Sequence, residues 1–481
     1  MNHTASGALA GPRPISGSQN HLLRAALLLI CVPLIGAALL LGVLPQMTLL
    51  SFALAATAAG FVLWTGRDFD ILHPVRILGC LWFFCLALAS LQLDTGISEW
   101  GVAMWGYVCL GFLAFAAGFR LISTFLAGNR SLHAKYKNRA LPYTELLLPR
   151  RTLVIATACL AVGAAAFTYE FIQLGEIPIF AENPNASRAR LFGIAGMLKD
   201  PALDTIIIKV VHVFTAFCKY GLYLACIMLF QKTKNTKAQI FCAAVLIAVG
   251  FVFHVSQGGR QFVYEPAAVA LVLFHYLRRP LRSKELAAFA VFTLLVISVM
   301  GYQRAMASAD IARSRQADRW SKLPSGATWD VIAQGYHTTT TSFEVFYRLT
   351  QDLPALRPPS GFLFYSLHRF LPRESIQELA LRLYTGEMIT PTVLGEFYGD
   401  FGIVGILVGP LILGVMYGYI YFQAMSYNSL TRLFNQALFL EILTYFPYVN
   451  LLSHYATWTF DVLFMACLIA IAKGGSKRKP H

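Results

Sequence analysis

A chain of 481 residues that is 57% hydrophobic, 13% charged and of mean hydropathy +0.59 is too apolar for a water-soluble fold. Apolar runs the length of a bilayer-spanning helix recur from residue 22 onward, and the alternating pattern of a transmembrane barrel is absent. The formal net charge of +15 would suggest nucleic acid in a soluble protein, but here most Lys and Arg lie in loops between apolar runs, where they set topology.

In chain order, residues 1–21 are polar and rich in Gly, Ser and Pro, and read as a loose cytoplasmic tail. The next run is long for a signal peptide and lacks a clear cleavage site, so it counts as the first helix. Spanning helices are expected near 22–44, 47–66, 77–93, 100–119, 152–173, 204–230, 238–255, 262–277 and 286–302. A long external loop over 303–397 follows, then helices near 398–422, 434–452 and 456–472, and a basic tail over 473–481. The loop carries its own helical patterns, at 331–349 and 375–384, separated by the breaker PALRPPSG, and should form a partly folded cap. The fold class is therefore an all-α polytopic membrane protein of about twelve spans. All nine Cys fall inside apolar segments, the usage of a small hydrophobe, with neither disulfide nor metal spacing.

Charge orients the helices. The clusters Arg120–Arg151, Lys232–Lys237, Arg278–Lys284 and Lys473–Lys479 fall on one side, and the short loops at 44–46, 94–99 and 453–457 hold no Lys or Arg. The positive-inside rule then places both termini in the cytoplasm.

Two short external segments break that rule. One is 174–203, with Arg188 and Arg190; the other is the turn SQGGRQ, with Arg260. A turn between two buried helices needs its glycines but not a permanent cation. With Arg304, these arginines gather at the end where charge bias disfavours them. Each alone could snorkel to lipid phosphate, but the set points to an anionic, phosphorylated ligand, because guanidinium grips phosphate with a two-pronged geometry. Lys209 and His212, three apart on one helix face, are placed to meet the same ligand. Deeper charges, Lys219, Glu441 and Asp461, are expected to pair with one another for packing.

A hydroxyl nucleophile needs a proton acceptor. His337, Glu344, His368, Glu387, Glu396 and Asp400 are available, and Glu396 and Asp400 stand out because they lie four apart at the mouth of a helix. The same placement would also serve as helix capping. There is no phosphate loop, zinc signature or nucleotide-sugar fingerprint.

The order of these features resembles the oligosaccharide repeat unit polymerases, the Wzy-type family of O-antigen, capsule and exopolysaccharide pathways. DFDILHPVRILGCLWF is similar to the family's segment opening its third helix, GEIPIFAENPNASRARLFGIAG to its "iPlf … R" outer loop, and SQGGRQ to its Gly-Arg turn. SGFLFYSLHRFLPRE, which holds His368 and Arg373, is similar to its late outer loop. TPTVLGEFYGDFGIVGILVGPLILGVMYGYIY is similar to the "FG..G" helix after that loop. The resemblance implies a bacterial inner-membrane glycosyltransferase. Its substrates would be undecaprenyl-diphosphate-linked oligosaccharides at the outer leaflet, and undecaprenyl diphosphate would leave as the growing chain is transferred to a new unit. It further implies no cofactor or metal, and a chain-length regulator and a flippase as partners. Arg188, Arg190, Arg260, Arg304 and Arg373 would meet the diphosphate, and Glu396, Asp400 or His368 would act as base. The alternatives are an O-antigen ligase-type transferase and, in another class, a lipid-linked oligosaccharide flippase. The crowding of polar residues at one end disfavours the flippase.

Overall fold

The structure, a computed structural model, describes residues 45–63, 70–93, 99–127, 146–182, 184, 186, 187, 190, 205–231, 235–307, 327–352, 392–426, 429–449 and 455–473. Among the described residues the regular structure is helical, without strands. The helices are α1 (Pro45–Leu63), α2 (Pro74–Ala89), α3 (Val102–Ala127), α4 (Pro149–Leu174), α5 (Ile206–Thr215), α6 (Phe217–Phe230) and α7 (Lys237–Ser256). They continue with α8 (Arg260–Leu277), α9 (Ser283–Ala307), α10 (Ala327–Asp352), α11 (Val393–Ser426), α12 (Leu430–Thr444) and α13 (Tyr455–Lys473).

Local sequence sets several boundaries. Proline occupies the first turn of α2 and α4, where its missing N–H costs nothing. Gly175 ends α4 in the left-handed region, with φ 78°. Thr236 and Gln239 form a reciprocal capping box at the start of α7. Each expected span from residue 47 onward overlaps helix, with ends shifted by up to eight residues, as where α3 runs on to Ala127 and α12 stops at Thr444, and 22–44 lies outside the described residues. The span expected over 204–230 breaks at Ala216 into α5 and α6. Among the described residues, six segments are long and apolar enough to cross a bilayer: 102–126, α4, α5 with α6, α7, 284–302 and α11.

Contacts define two ends of the bundle. At one end, Leu147 N–H donates to Gln231 Oε1 just past α6, and Leu148 N–H donates to Ala472 O near the end of α13. Asp70, ahead of α2, meets the far ends of two more helices there. His275 Nε2 lies 2.9 Å from Asp70 Oδ1, and the Tyr276 and Tyr421 hydroxyls donate to Oδ2. His275 Nδ1 accepts the Leu281 N–H, so Nε2 is the nitrogen that carries the proton to Asp70. Burial pushes the Asp70 carboxyl up, but His275, Tyr276 and the Leu72 N–H outweigh it and bring it down to about 2. Much of DFDILHPVR is thus a staple between helix ends.

At the other end lies α10. The Leu93 N–H donates to Tyr336 Oη, Trp100 Nε1 to Glu344 Oε2, Arg260 to Thr338 Oγ1 and Tyr398 Oη to Thr350 O. Those partners belong to the ends of α2, α3, α8 and α11, so α10, 26 residues and about 39 Å long, lies across the bundle end. Its HTTTT run (337–341) is mostly buried although polar. Thr338, Thr339, Thr340 and Thr341 each donate to the carbonyl four residues back, so the helix satisfies its own hydroxyls. Helical structure therefore reaches well into the 303–397 segment, with α9 running to Ala307 and α11 starting at Val393.

The α11 helix folds back on itself. Gly402 has φ 61° and ψ −143°, a conformation essentially reserved for glycine. Beyond it, a Cβ on Gly405 would stand 2.0 Å from the Phe397 carbonyl, and one on Gly409 would meet the Phe397 ring. Residues 397 and 409 would lie about 18 Å apart on a straight helix. The segment Val393–Phe401 therefore runs back beside the helix that follows it. Its first residues are sunk in the bundle, with Leu394 against Gly111 and the Val393 N–H on Phe446 O. This is the physical content of the FG..G pattern.

Candidate functional site

The turn holding Arg260 is built by glycine. Gly258 has φ 70°, and its Cα faces the backbone of Pro178 and Ile179 so closely that a Cβ would lie 3.3 Å away. The 3-10 turn Pro178–Phe180, from the IPIF motif, is therefore the surface against which the Gly-Gly-Arg turn folds. Two segments 80 residues apart in the chain are one structural unit.

Arg260 opens α8, half-buried, and its guanidinium donates to Thr338 Oγ1 at 2.6 Å. That holds one of five N–H donors. Tyr445 and Tyr448, beyond α12, lie within electrostatic range of it. Glu265 lies five residues on, about 7.5 Å down the helix. There Lys219 Nζ binds Glu265 Oε1 at 3.1 Å and Asp461 Oδ2 at 2.7 Å. Tyr220 donates to Asp461 and Tyr223 to Glu265. The expected Lys219–Asp461 pairing is present, and Glu265 joins it where Glu441 was the other expected partner. Glu441 is buried with Oε1 lacking a hydrogen bond, as is the Tyr445 hydroxyl four residues later.

The other anticipated residues distribute as follows. Arg190 pairs with Glu176 at 3.5 Å, both partly exposed. Lys209 is exposed on α5. His212 Nδ1 meets Glu170 Oε1 at 2.8 Å. These groups share the bundle end with Arg260, because Glu170 and Glu176 flank the α4 terminus that leads into the 178–180 turn. Glu396 and Asp400 lie on the folded-back segment of α11, Glu396 half-buried and Asp400 buried. The Arg304 backbone is in the last turn of α9, and its side chain lies outside the described residues, as do Arg188, His368 and Arg373. His337 is buried, its ring on Thr341 Oγ1, and Glu344 is occupied by Trp100 and Arg348.

Sequence reasoning did not single out Thr338 or Glu170. The signal for Glu170 was present: a carboxylate within an apolar helix is costly unless it has a use. Nothing local marks Thr338, one of four consecutive threonines.

Comparison with known families bears on this arrangement. The family model for O-antigen polymerase matches residues 69–446. The chain belongs to the O-antigen polymerase family. The match spans the Asp70 staple, the Gly-Arg turn, α10 and the folded-back start of α11, and it ends at Phe446, just past the helix that carries Glu441. Neither the curated proteins nor the solved structures yield a match. As an O-antigen polymerase-family member, the chain is a multi-pass membrane protein of polysaccharide biosynthesis.

Proposed function

We propose that this protein joins oligosaccharide repeat units carried on undecaprenyl diphosphate, at the outer leaflet of the bacterial inner membrane. The sugar hydroxyl of a new unit attacks the anomeric carbon of the growing chain. The bond from that carbon to the diphosphate breaks, and undecaprenyl diphosphate leaves with the electron pair. The positive-inside orientation supports this placement, since it puts about twelve spans with both termini in the cytoplasm and the Arg260 end outside.

One observation carries the reading. A fixed guanidinium is held by Thr338, on a glycine turn packed against the 178–180 turn, at the bundle end opposite the basic loops. A diphosphate leaving group needs preorganised positive charge where negative charge develops. Arg260 supplies it without reorganising, because the turn and Thr338 already set its direction. Arg188, Arg190, Arg304, Arg373 and Lys209 are the further cations proposed for the lipid-linked diphosphate. Glu396 and Asp400 are the carboxylates proposed to handle the attacking hydroxyl, Glu396 being the more accessible. Release of the product lipid and supply of new units would engage a flippase and a chain-length regulator.

The test is gel profiling of surface polysaccharide in a deletion strain complemented with wild type or Arg260→Ala. Single lipid-linked units replacing the ladder, rescued by wild type and not by Arg260→Ala, is the expected result. A ladder still formed on lipid diphosphate but no longer attached to its acceptor would show a ligase. Units trapped on the cytoplasmic face would show a flippase.

A further inference from the structure

Three helices meet at the Arg260 guanidinium, and glycine lets them close. A Cβ on Gly335, in α10, would collide with the Ser298 side chain of α9. One on Gly301, a turn later in α9, would stand 2.6 Å from Gln334 Cγ of α10. Arg260 reaches into this junction from α8, and its Nη1 donates to Thr338 Oγ1 at 2.6 Å. The same nitrogen lies 3.4 Å from where a Gly301 Cβ would be, and Gln334 Nε2 lies 3.5 Å from that point, so the guanidinium and the carboxamide are at most about 7 Å apart.

Gln334 is tied to the guanidinium through its backbone as well. Thr338 donates its hydroxyl proton to Gln334 O at 2.8 Å, which leaves an Oγ1 lone pair to accept from Arg260. Four residues apart, Gln334 and Thr338 share the face of α10 that is turned to Arg260. The Gln334 side chain is half-buried, and its carboxamide makes no hydrogen bond to a described residue. Packing does not call for an amide there: a Leu or Met would fill the space against Gly301 without a polar group to desolvate. Among the described residues no carboxylate forms an ion pair with Arg260 either, so the cation and the amide beside it both keep donors for a ligand.

We infer that the Gln334 carboxamide is a second donor to the diphosphate of the lipid-linked substrate, beside Arg260. The inference rests on the polymerase reading and deepens it. With an N–H···O bond of about 2.9 Å from each side, one phosphate group spans the distance between the two donors. The amide adds a hydrogen bond without adding charge. That suits a site whose product is an anion that must leave. A second fixed cation would hold undecaprenyl diphosphate more tightly, whereas a neutral donor orients it at lower strength. Gly301 is then the residue that makes room for both groups.

The experiment is calorimetric binding of undecaprenyl diphosphate to the full-length protein in nanodiscs, with polymer formation from undecaprenyl-diphosphate-linked repeat units followed in parallel. Wild type is compared with Gln334→Leu, Gln334→Glu and, as a control, Asp330→Asn, an exposed residue in the first turn of the same helix. Folding is checked by gel filtration. Gln334→Leu should raise Kd about fivefold, the worth of one neutral hydrogen bond. Gln334→Glu keeps the shape but sets a carboxylate beside the guanidinium, and should raise Kd about 100-fold. Asp330→Asn should match wild type. Inorganic pyrophosphate should compete, though more weakly than the lipid, whose prenyl chain buries apolar surface. Gln334→Leu binding as tightly as wild type would overturn the donor role. Should Gln334→Leu fail to fold, wild-type affinity in Gln334→Glu would do the same. Pyrophosphate binding more tightly than the lipid would overturn the assignment to a lipid-linked substrate. Weakened binding in both Gln334 variants, with no polymer from wild type, would refute the polymerase reading and leave the diphosphate site standing.

Discussion

At the scale of single residues, some of the charges within the bundle hold it together. Lys219 holds: it bridges two buried carboxylates from α8 and α13. Removing it as Lys219→Met would leave both carboxylates buried without their cation, at a cost on the order of 3 kcal/mol. Thermal unfolding in detergent should show a clear drop. Adding Glu265→Gln and Asp461→Asn should recover most of it, because neutral amides need no counter-ion. Gly258 is the second case. Its φ of 70° costs an L-residue about 1 kcal/mol, and a Cβ would press the 178–180 turn. Gly258→Ala should therefore weaken the polymer ladder as Arg260 is displaced, whereas Gly106→Ala, which meets open space, should leave it unchanged. The Lys219–Asp461 pair was legible in the sequence, as two charges deep in apolar runs; the contacts of Arg260 and His212 were not. Arg260 was conspicuous because a cation in a Gly-Gly turn has no packing use. Its partner Thr338 and the Glu170 partner of His212 are tertiary contacts, and no local pattern encodes them.

At the scale of elements, apolar run length identified the helices well, because a bilayer leaves few other ways to satisfy backbone polar groups. The exceptions have physical reasons. The break between α5 and α6 falls at Thr215–Ala216–Phe217, without Pro or Gly to announce it. The 331–349 pattern did become helix, but its burial was hidden by its polarity, since hydroxyls that bond their own helix backbone look like surface until the backbone is drawn. The reversal in α11 was equally hidden. Several glycines line 395–418, and only three-dimensional placement shows that Gly402 is the one in a glycine-only conformation. Gly405→Leu should prevent the fold-back, since its side chain would collide with the Phe397 carbonyl. The expected result is loss of folded protein in membrane extracts, with Gly60→Leu, which meets nothing within 4 Å, expressed normally. Normal expression of both would show that the two arms of α11 do not pack as described.

At the scale of the molecule, the two ends of the bundle are chemically unlike. One is stapled by Asp70, His275, Tyr276 and Tyr421, with Arg150, Arg279 and Lys473 in its loops and helix ends. The other is crossed by α10 and carries Arg260 and the Glu170–His212 pair. Single cysteines replacing Glu176 and Arg279 in a cysteine-free background should react with a membrane-impermeant maleimide from opposite sides, Glu176→Cys from outside in intact spheroplasts. Labelling of both from the same side would overturn the positive-inside reading of the charge clusters. The sequence carried the charge contrast between the loops and the helical pattern of residues 331–349, but not the contacts that seat that helix on the ends of α2, α3, α8 and α11.

The Arg260–Thr338 bond spans 78 residues, and the Lys219–Asp461 bond spans 242. Read as a timetable of synthesis, this means that α8 is threaded into the membrane well before the residue that will aim its guanidinium has left the ribosome. The Lys219 network beneath it waits for the last helix of all. Partial chains released before residue 338 would hold Arg260 without the threonine that aims it, and those released before residue 461 would leave Lys219 with Glu265 as its carboxylate partner and Asp461 still to come.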